Sequence, residues 1–137
     1  MLDQILDQPL SLAAARAAVL DDSRGACVLF EGVVRNHDGG RDVARLDYSA
    51  HPDAGRVLAQ VVGEVEAEFG VRAVAQHRVG TLQIGDVALV AACASPHRAE
   101  SFAACGALVD RIKQRVPVWK HQVFPNGSDE WVGLGEH

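Results

Sequence analysis

The chain changes its hydrophobic period at Asp53. From there Ala54, Val57, Leu58, Val61, Val62, Val65 and Phe69 recur at three- and four-residue spacing, which predicts an amphipathic helix with one buried stripe. Glu64, Glu66 and Glu68 fall largely off that stripe and read as a solvated face, and Gly70 is a natural stop. Before the switch, "GACVLFEGVVR" is rich in Val, Leu and Phe and reads as a strand; "VARLDYSA" alternates imperfectly but is better read as strand than helix. After it, "VRAVAQHRV" and "VALVAACA" are strand-like, joined by "GTLQIGD". A second helical stripe follows in Phe102, Cys105, Leu108, Val109, Ile112 and Val116, with Ser95 as the expected N-cap, Pro96 in the first helical position and Pro117 as terminator. "VWKHQVF" reads as a last strand, "PNGSDE" as a turn and "WVGLGEH" as a short tail. Ahead of all this, Ser11 to about Leu20 reads as a short helix, and "NHDGGRD" as a loop. The order is β-β-α-β-β-α-β after a leading helix. Interleaving without strict alternation predicts an α+β sandwich, helices packed on a mixed sheet. At 137 residues the chain suits one domain, 1–137.

Composition narrows the function. Apolar residues make up 48% and charged residues 23%, as in globular proteins, and the net charge of −5 argues against a general nucleic-acid binder. Any anion site must therefore be a local gathering of cations. No apolar run reaches the roughly 18 residues of a membrane span, and the acidic N-terminal stretch lacks the pattern of a signal peptide. A cytoplasmic location is the default expectation. Cys27, Cys93 and Cys105 each lie in apolar runs without a C-x-x-C pair and are expected to be buried, unpaired thiols. His37, His51, His77, His97 and His121 show no zinc-ligand spacing, so neither metal nor cofactor is expected.

Three cationic features stand out. His97 and Arg98 in "SPHR" fall at the start of a helix, where unpaired N–H groups and the dipole already favour an anion. They are either an anion-binding element or an exposed basic pair. Arg35 ends an apolar strand and opens a Gly-rich loop, a position used for sites but also for surface residues. Lys113 and Lys120 flank Pro117 and Trp119 in "IKQRVPVWKHQ". Lys113 is explained well enough by the negative end of its helix. Lys120 shares a strand face with Val118 and Gln122, while Trp119 and His121 point the other way. His77-Arg78, closing a strand, reads equally as a contribution to the site or as a rim pair.

The segments "FEGVVRNHDGG", "HRVGTLQIGD", "SPHRAESFAAC", "DRIKQRVPVWKHQ" and "SDEWV" together resemble the MoaE family of large, catalytic molybdopterin synthase subunits over about Gly25–Val132. The resemblance implies an α/β hammerhead fold with a β-hairpin subdomain, and a homodimer within a heterotetramer. The implied partner is a small ubiquitin-like sulfur-carrier subunit of the MoaD type, whose C-terminal Gly-Gly thiocarboxylate enters the site. The implied reaction installs a dithiolene on cyclic pyranopterin monophosphate, a step of molybdenum cofactor biosynthesis. It assigns substrate binding to Val33, Val34, Arg35, His97, Arg98, Lys113, Lys120, His121 and Gln122, with Lys120 and Lys113 catalytic. Flanking cations suit such chemistry because tail and substrate are both anionic.

The chain departs from the family pattern in places. His121-Gln122 stands where a basic residue and Glu are common, which removes a carboxylate beside Lys120. "YSAHPDAG" replaces an aromatic-Pro-Gly-Met helix entry, and the tail stops soon after Trp131, without a basic extension. A non-catalytic module binding a phosphorylated ligand or a Gly-Gly-tailed partner is the alternative function; a structural dimer with incidental lysines is another.

Overall fold

A computed structural model describes residues 4–38 and 41–133. Gly39 and Gly40 of the expected loop, and the last four residues of the tail, lie outside the described residues. The elements are β1 (Gln4–Leu6), α1 (Leu12–Val19), β2 (Ala26–Val33), β3 (His37–Asp38), β4 (Arg41–Asp42), β5 (Arg45–Ala50), α2 (Ala54–Phe69), β6 (Arg72–Arg78), β7 (Gly80–Gln83), β8 (Val87–Ser95), α3 (Arg98–Arg115), β9 (Val118–Val123) and β10 (Asp129–Val132). They form two four-stranded sheets, ordered β1-β6-β8-β2 and β10-β9-β5-β7, with β3-β4 as a separate ribbon. The first sheet is mixed, because β1 runs parallel to β6 while the other pairs are antiparallel. The α+β class holds, divided over two sheets.

The first sheet is covered on both faces, which is why β8 reads as an almost unbroken apolar run rather than an alternation. Val90, Ala92 and Ala94 meet Ala15 and Val19 of α1 on one face; Leu89, Ala91 and Cys93 meet α2 and α3 on the other. Leu58 and Leu108 are fully buried in that larger cluster, and truncating either to Ala costs about 2–5 kcal/mol. Helix α2 ends as its sequence predicts: Gly70 adopts φ 66°, a left-handed conformation that side chains rarely take. Glu64 and Glu68 stay near the surface, but each binds α3 through Arg115 at 2.6 Å and Arg111 at 2.8 Å.

Several local expectations give way. Ser95 is the last residue of β8, paired with Ala26, and His97 is the N-cap of α3. Ser95 is fully buried, its Oγ donating to the His97 carbonyl and lying against Ser101 Oγ, so strand pairing displaces the cap by two residues. Phe102 belongs to no stripe: it is 64% exposed. "GTLQIGD" contains a strand, β7, and another, β10, begins at Asp129 inside "PNGSDE" and runs into the tail as far as Val132. Part of "NHDGGRD" pairs as the β3-β4 ribbon. These strands are only two to four residues long, and β7 pairs with β5, distant in sequence, so local pattern does not reveal them.

Candidate active site

At Pro117 the chain passes from α3, which packs on the first sheet, to β9, which belongs to the second. The joint is tight: the Val118 N–H donates to the Val116 carbonyl at 2.9 Å, and the His51 N–H donates to the Pro117 carbonyl at 3.0 Å. A cavity of about 240 Å³ opens at the seam between the sheets. Val33 and Val34 contribute to its wall together with Arg35, Tyr48, His77, Lys113, Lys120 and Gln122. Lys113 thus arrives from the last turns of α3 and Lys120 from the strand beyond the proline.

Each side chain has a local reason for its place. The β2-β8 register shifts between Gly32 and Val33, and the chain is then held by the Val34 N–H donating to the Asp86 carbonyl and the Gly85 N–H donating to the Val34 carbonyl, at 2.9 and 2.7 Å. This irregularity leaves Arg35 exposed at the mouth. Lys120 lies opposite Tyr48 in the β5-β9 ladder, and Gln122 lies opposite Leu46. Gln122 is 2% exposed, the most buried polar residue of the wall.

The electrostatics join the two lysines. Burial first, and the positive charge of Lys120 second, hold the Lys113 ammonium below its ordinary pKa. Two cations that feel each other inside a partly closed pocket are suited to an anion that neutralises both. Burial raises the Tyr48 hydroxyl to about 12, so it stays protonated. His77 is 3% exposed and meets the Tyr48 ring edge-on, with centroids 5.1 Å apart. Of the two open readings for His77-Arg78, His77 enters the cavity wall while Arg78 pairs with Asp86 at 3.7 Å. No carboxylate is among the described wall residues.

The other assigned residues sit elsewhere. His121 points to the outer face of β9, its Nε2 2.7 Å from Asp129 and its Nδ1 3.4 Å from Asp47, and stacks on Trp131 at 4.6 Å. His97 and Arg98 are exposed at the opposite end of α3 from Lys113, roughly 22 Å away at the usual helical rise. One chain therefore does not bring them to the lysines. Tyr48 went unnoticed in the sequence; a lone aromatic in a strand has no pattern that marks it as facing a site. Cys93 and Cys105 are buried, Cys27 half-buried, and none lies in the cavity wall. A hydrogen bond to Cys105, then burial, pushes the Cys93 thiol up, away from nucleophilic character. Among the described residues no His, Cys, Asp or Glu cluster could hold a metal, and no helix is long and apolar enough to cross a membrane.

Known proteins resemble this chain in sequence and fold. The catalytic subunit 1 of molybdopterin synthase from Mycobacterium tuberculosis is 44% identical over 132 residues, 95% of this chain and 89% of its own length. The catalytic subunit from Bacillus subtilis is 40% identical over 80% of this chain and 70% of its own. The crystal structure of molybdopterin synthase from Staphylococcus aureus superposes with a TM-score of 0.89 at 34% identity, covering 94% of this chain and 95% of that one. The family described as "MoaE protein" matches residues 5–115, a span that includes Arg35, His77 and Lys113. Lys120 lies beyond it but falls within the alignment to the 44% identical relative. By family match, sequence identity and shared fold, the chain belongs to the MoaE family.

Proposed function

We propose that this chain is the catalytic subunit of a molybdopterin synthase, a sulfurtransferase that moves sulfur from the C-terminal thiocarboxylate of a small MoaD-type carrier to cyclic pyranopterin monophosphate. The observation that carries the reading is the meeting of Lys113 and Lys120, from two different layers, in one cavity with Arg35 at its mouth. The carrier's glycine-ended tail is narrow enough to enter such a seam. Lys120 works at the pterin side-chain carbons, and Lys113 stabilises the phosphate or the oxyanion formed as sulfur leaves the carrier. Val33, Val34 and Gln122 shape the pocket around the substrate. His121 acts on the far side of β9 and contributes to the placement of Lys120 rather than to substrate contact. A cytoplasmic location goes with this reading.

His97 and Arg98 fit the reading through self-association. In a dimer, a second copy brings its exposed α3 start to the cavity mouth and adds two groups able to hold the substrate phosphate. The open edge of β2, with exposed Leu29 and nearby Phe102, is the apolar surface available for that contact.

The test is reconstitution with thiocarboxylated carrier and cyclic pyranopterin monophosphate, with mass detection of the dithiolene product. Product from the wild type and its loss in Lys120→Ala are expected. Carrier and phosphate binding without product would favour the non-catalytic binding module.

A further inference from the structure

We infer that His77 is the proton acceptor of this site, the base that frees sulfur from the carrier by activating water. The inference rests on the sulfur-transfer reading and adds a catalytic residue to it.

Four observations converge on His77. Its side chain is 3% exposed and belongs to the cavity wall, near the end of β6. Its Nδ1 lies 2.8 Å from the Arg78 carbonyl. A carbonyl only accepts, so Nδ1 carries a hydrogen and donates it, and in the neutral ring the lone pair is on Nε2. The ring is fixed further by the edge-on contact with Tyr48, at an interplanar angle of 69°. The fourth observation is chemical: the remaining polar wall side chains are Arg35, Lys113, Lys120, Gln122 and Tyr48. Gln122 is a very weak base, Arg35 stays charged, and Tyr48 is held protonated. With no carboxylate among the described wall residues, the imidazole is the side chain best suited to take a proton, ahead of an ammonium that must first lose its own.

The reaction needs such a group. Once sulfur has bonded to a pterin side-chain carbon while still joined to the carrier's acyl carbon, water must separate them. Water's oxygen bonds to the acyl carbon, and its proton passes to His77 Nε2. The C–S bond then breaks, its electron pair staying on the sulfur bound to the pterin; the carrier leaves as a carboxylic acid, whose remaining proton passes to solvent, and His77 returns its proton to the thiolate or to solvent, so the carrier departs as a carboxylate. Nothing is oxidised or reduced. The cationic lysines stabilise the oxyanion formed on the way. Among the described residues, the titratable and charged groups that share the cavity wall with the imidazole are Tyr48 on β5, Lys113 on α3, Lys120 on β9 and Arg35 beyond β2, and the adjacent Arg78 pairs with Asp86.

The experiment is single-turnover mass spectrometry with thiocarboxylated carrier and cyclic pyranopterin monophosphate, on wild type, His77→Asn and His77→Ala. Asn can still donate to the Arg78 carbonyl but cannot act as a base. The expected result is that the carrier–pterin thioester accumulates and its hydrolysis slows by about 10²-fold or more. Carrier affinity and KM stay near wild type, and the acid limb of the pH–rate profile disappears. Added imidazole is expected to restore hydrolysis in His77→Ala. Wild-type hydrolysis rates and pH profile in His77→Asn would overturn the inference while leaving the sulfur-transfer reading intact. So would a rate loss in both variants that follows carrier affinity and does not respond to imidazole. A wild type that makes neither thioester nor dithiolene would overturn both.

Discussion

On the inner face of β9, Lys120 and Gln122 look into the cavity. On the outer face, one residue away, His121 lies between Asp47 and Asp129 with its ring on Trp131. The inner face gathers Lys113, Lys120 and Arg35 around one cavity, an arrangement that suits an anionic ligand. On the outer face the charges are matched across three strands. Asp47 illustrates this: burial would raise its pKa, but the Thr81 hydroxyl, Arg45 and His121 together hold it below the usual carboxylate value. Alternation along one strand thus separates a reactive surface from a structural one, and adjacent residues have unrelated roles.

The strongest way to break this contrast is Lys120→Ala beside His121→Ala. Lys120→Ala is expected to lower the single-turnover rate by about 10²-fold or more with little change in melting temperature. His121→Ala is expected to keep the rate within about threefold while loosening the β9-β10 hairpin. Equal rate losses in the two would end the division into faces.

Next in size is a complementation test of the dimer. Arg98→Ala and Lys120→Ala are each expected to be nearly inactive. Mixed under conditions that exchange subunits, they should regain about a quarter of wild-type sites, because half of the dimers then carry one intact site of two. No recovery would mean that Arg98 and Lys120 serve the same chain.

Lys113→Met probes the cost of gathering charge on the inner face. Its folded-state pKa is depressed, so below that value the folded protein bears a disfavoured charge, while above the unfolded value near 10.5 the lysine is neutral in both states. Because half the side chain is solvated, the effect is small. The variant should melt about 1–2 °C above wild type near neutral pH, and the gap should close as pH approaches 10.5, although turnover is lost. Thermal melts over pH 7–10.5 check this. Trp131→Ala should do the least: Trp131 is 63% exposed, and losing its stack on His121 costs about 0.5–1 kcal/mol, with turnover unchanged.

The sequence made some of this legible. The α2 stripe from Ala54 to Phe69 and its Gly70 stop are local patterns and appear where expected. Lys113 and Lys120 were legible as two cations on either side of Pro117, and the family resemblance was what pointed to a shared site. What stayed hidden depends on contacts across layers. Tyr48 and His77 meet only because two sheets pack against each other. β1, β7 and β10 are short strands of three or four residues and carry no alternation long enough to read; β1 and β7 also pair with distant segments, β6 and β5. Ser95 had the residue type of a helix cap, but its pairing with Ala26 keeps it in a strand.

The joint at Pro117 has a mechanical consequence. One lysine is carried by each sheet's side of the seam, and the charge of Lys120 disfavours that of Lys113, a cost that an anion placed between them would relieve. A bound phosphate or thiocarboxylate therefore acts as a clasp as well as a reactant, and the ligand itself contributes to holding the two layers together.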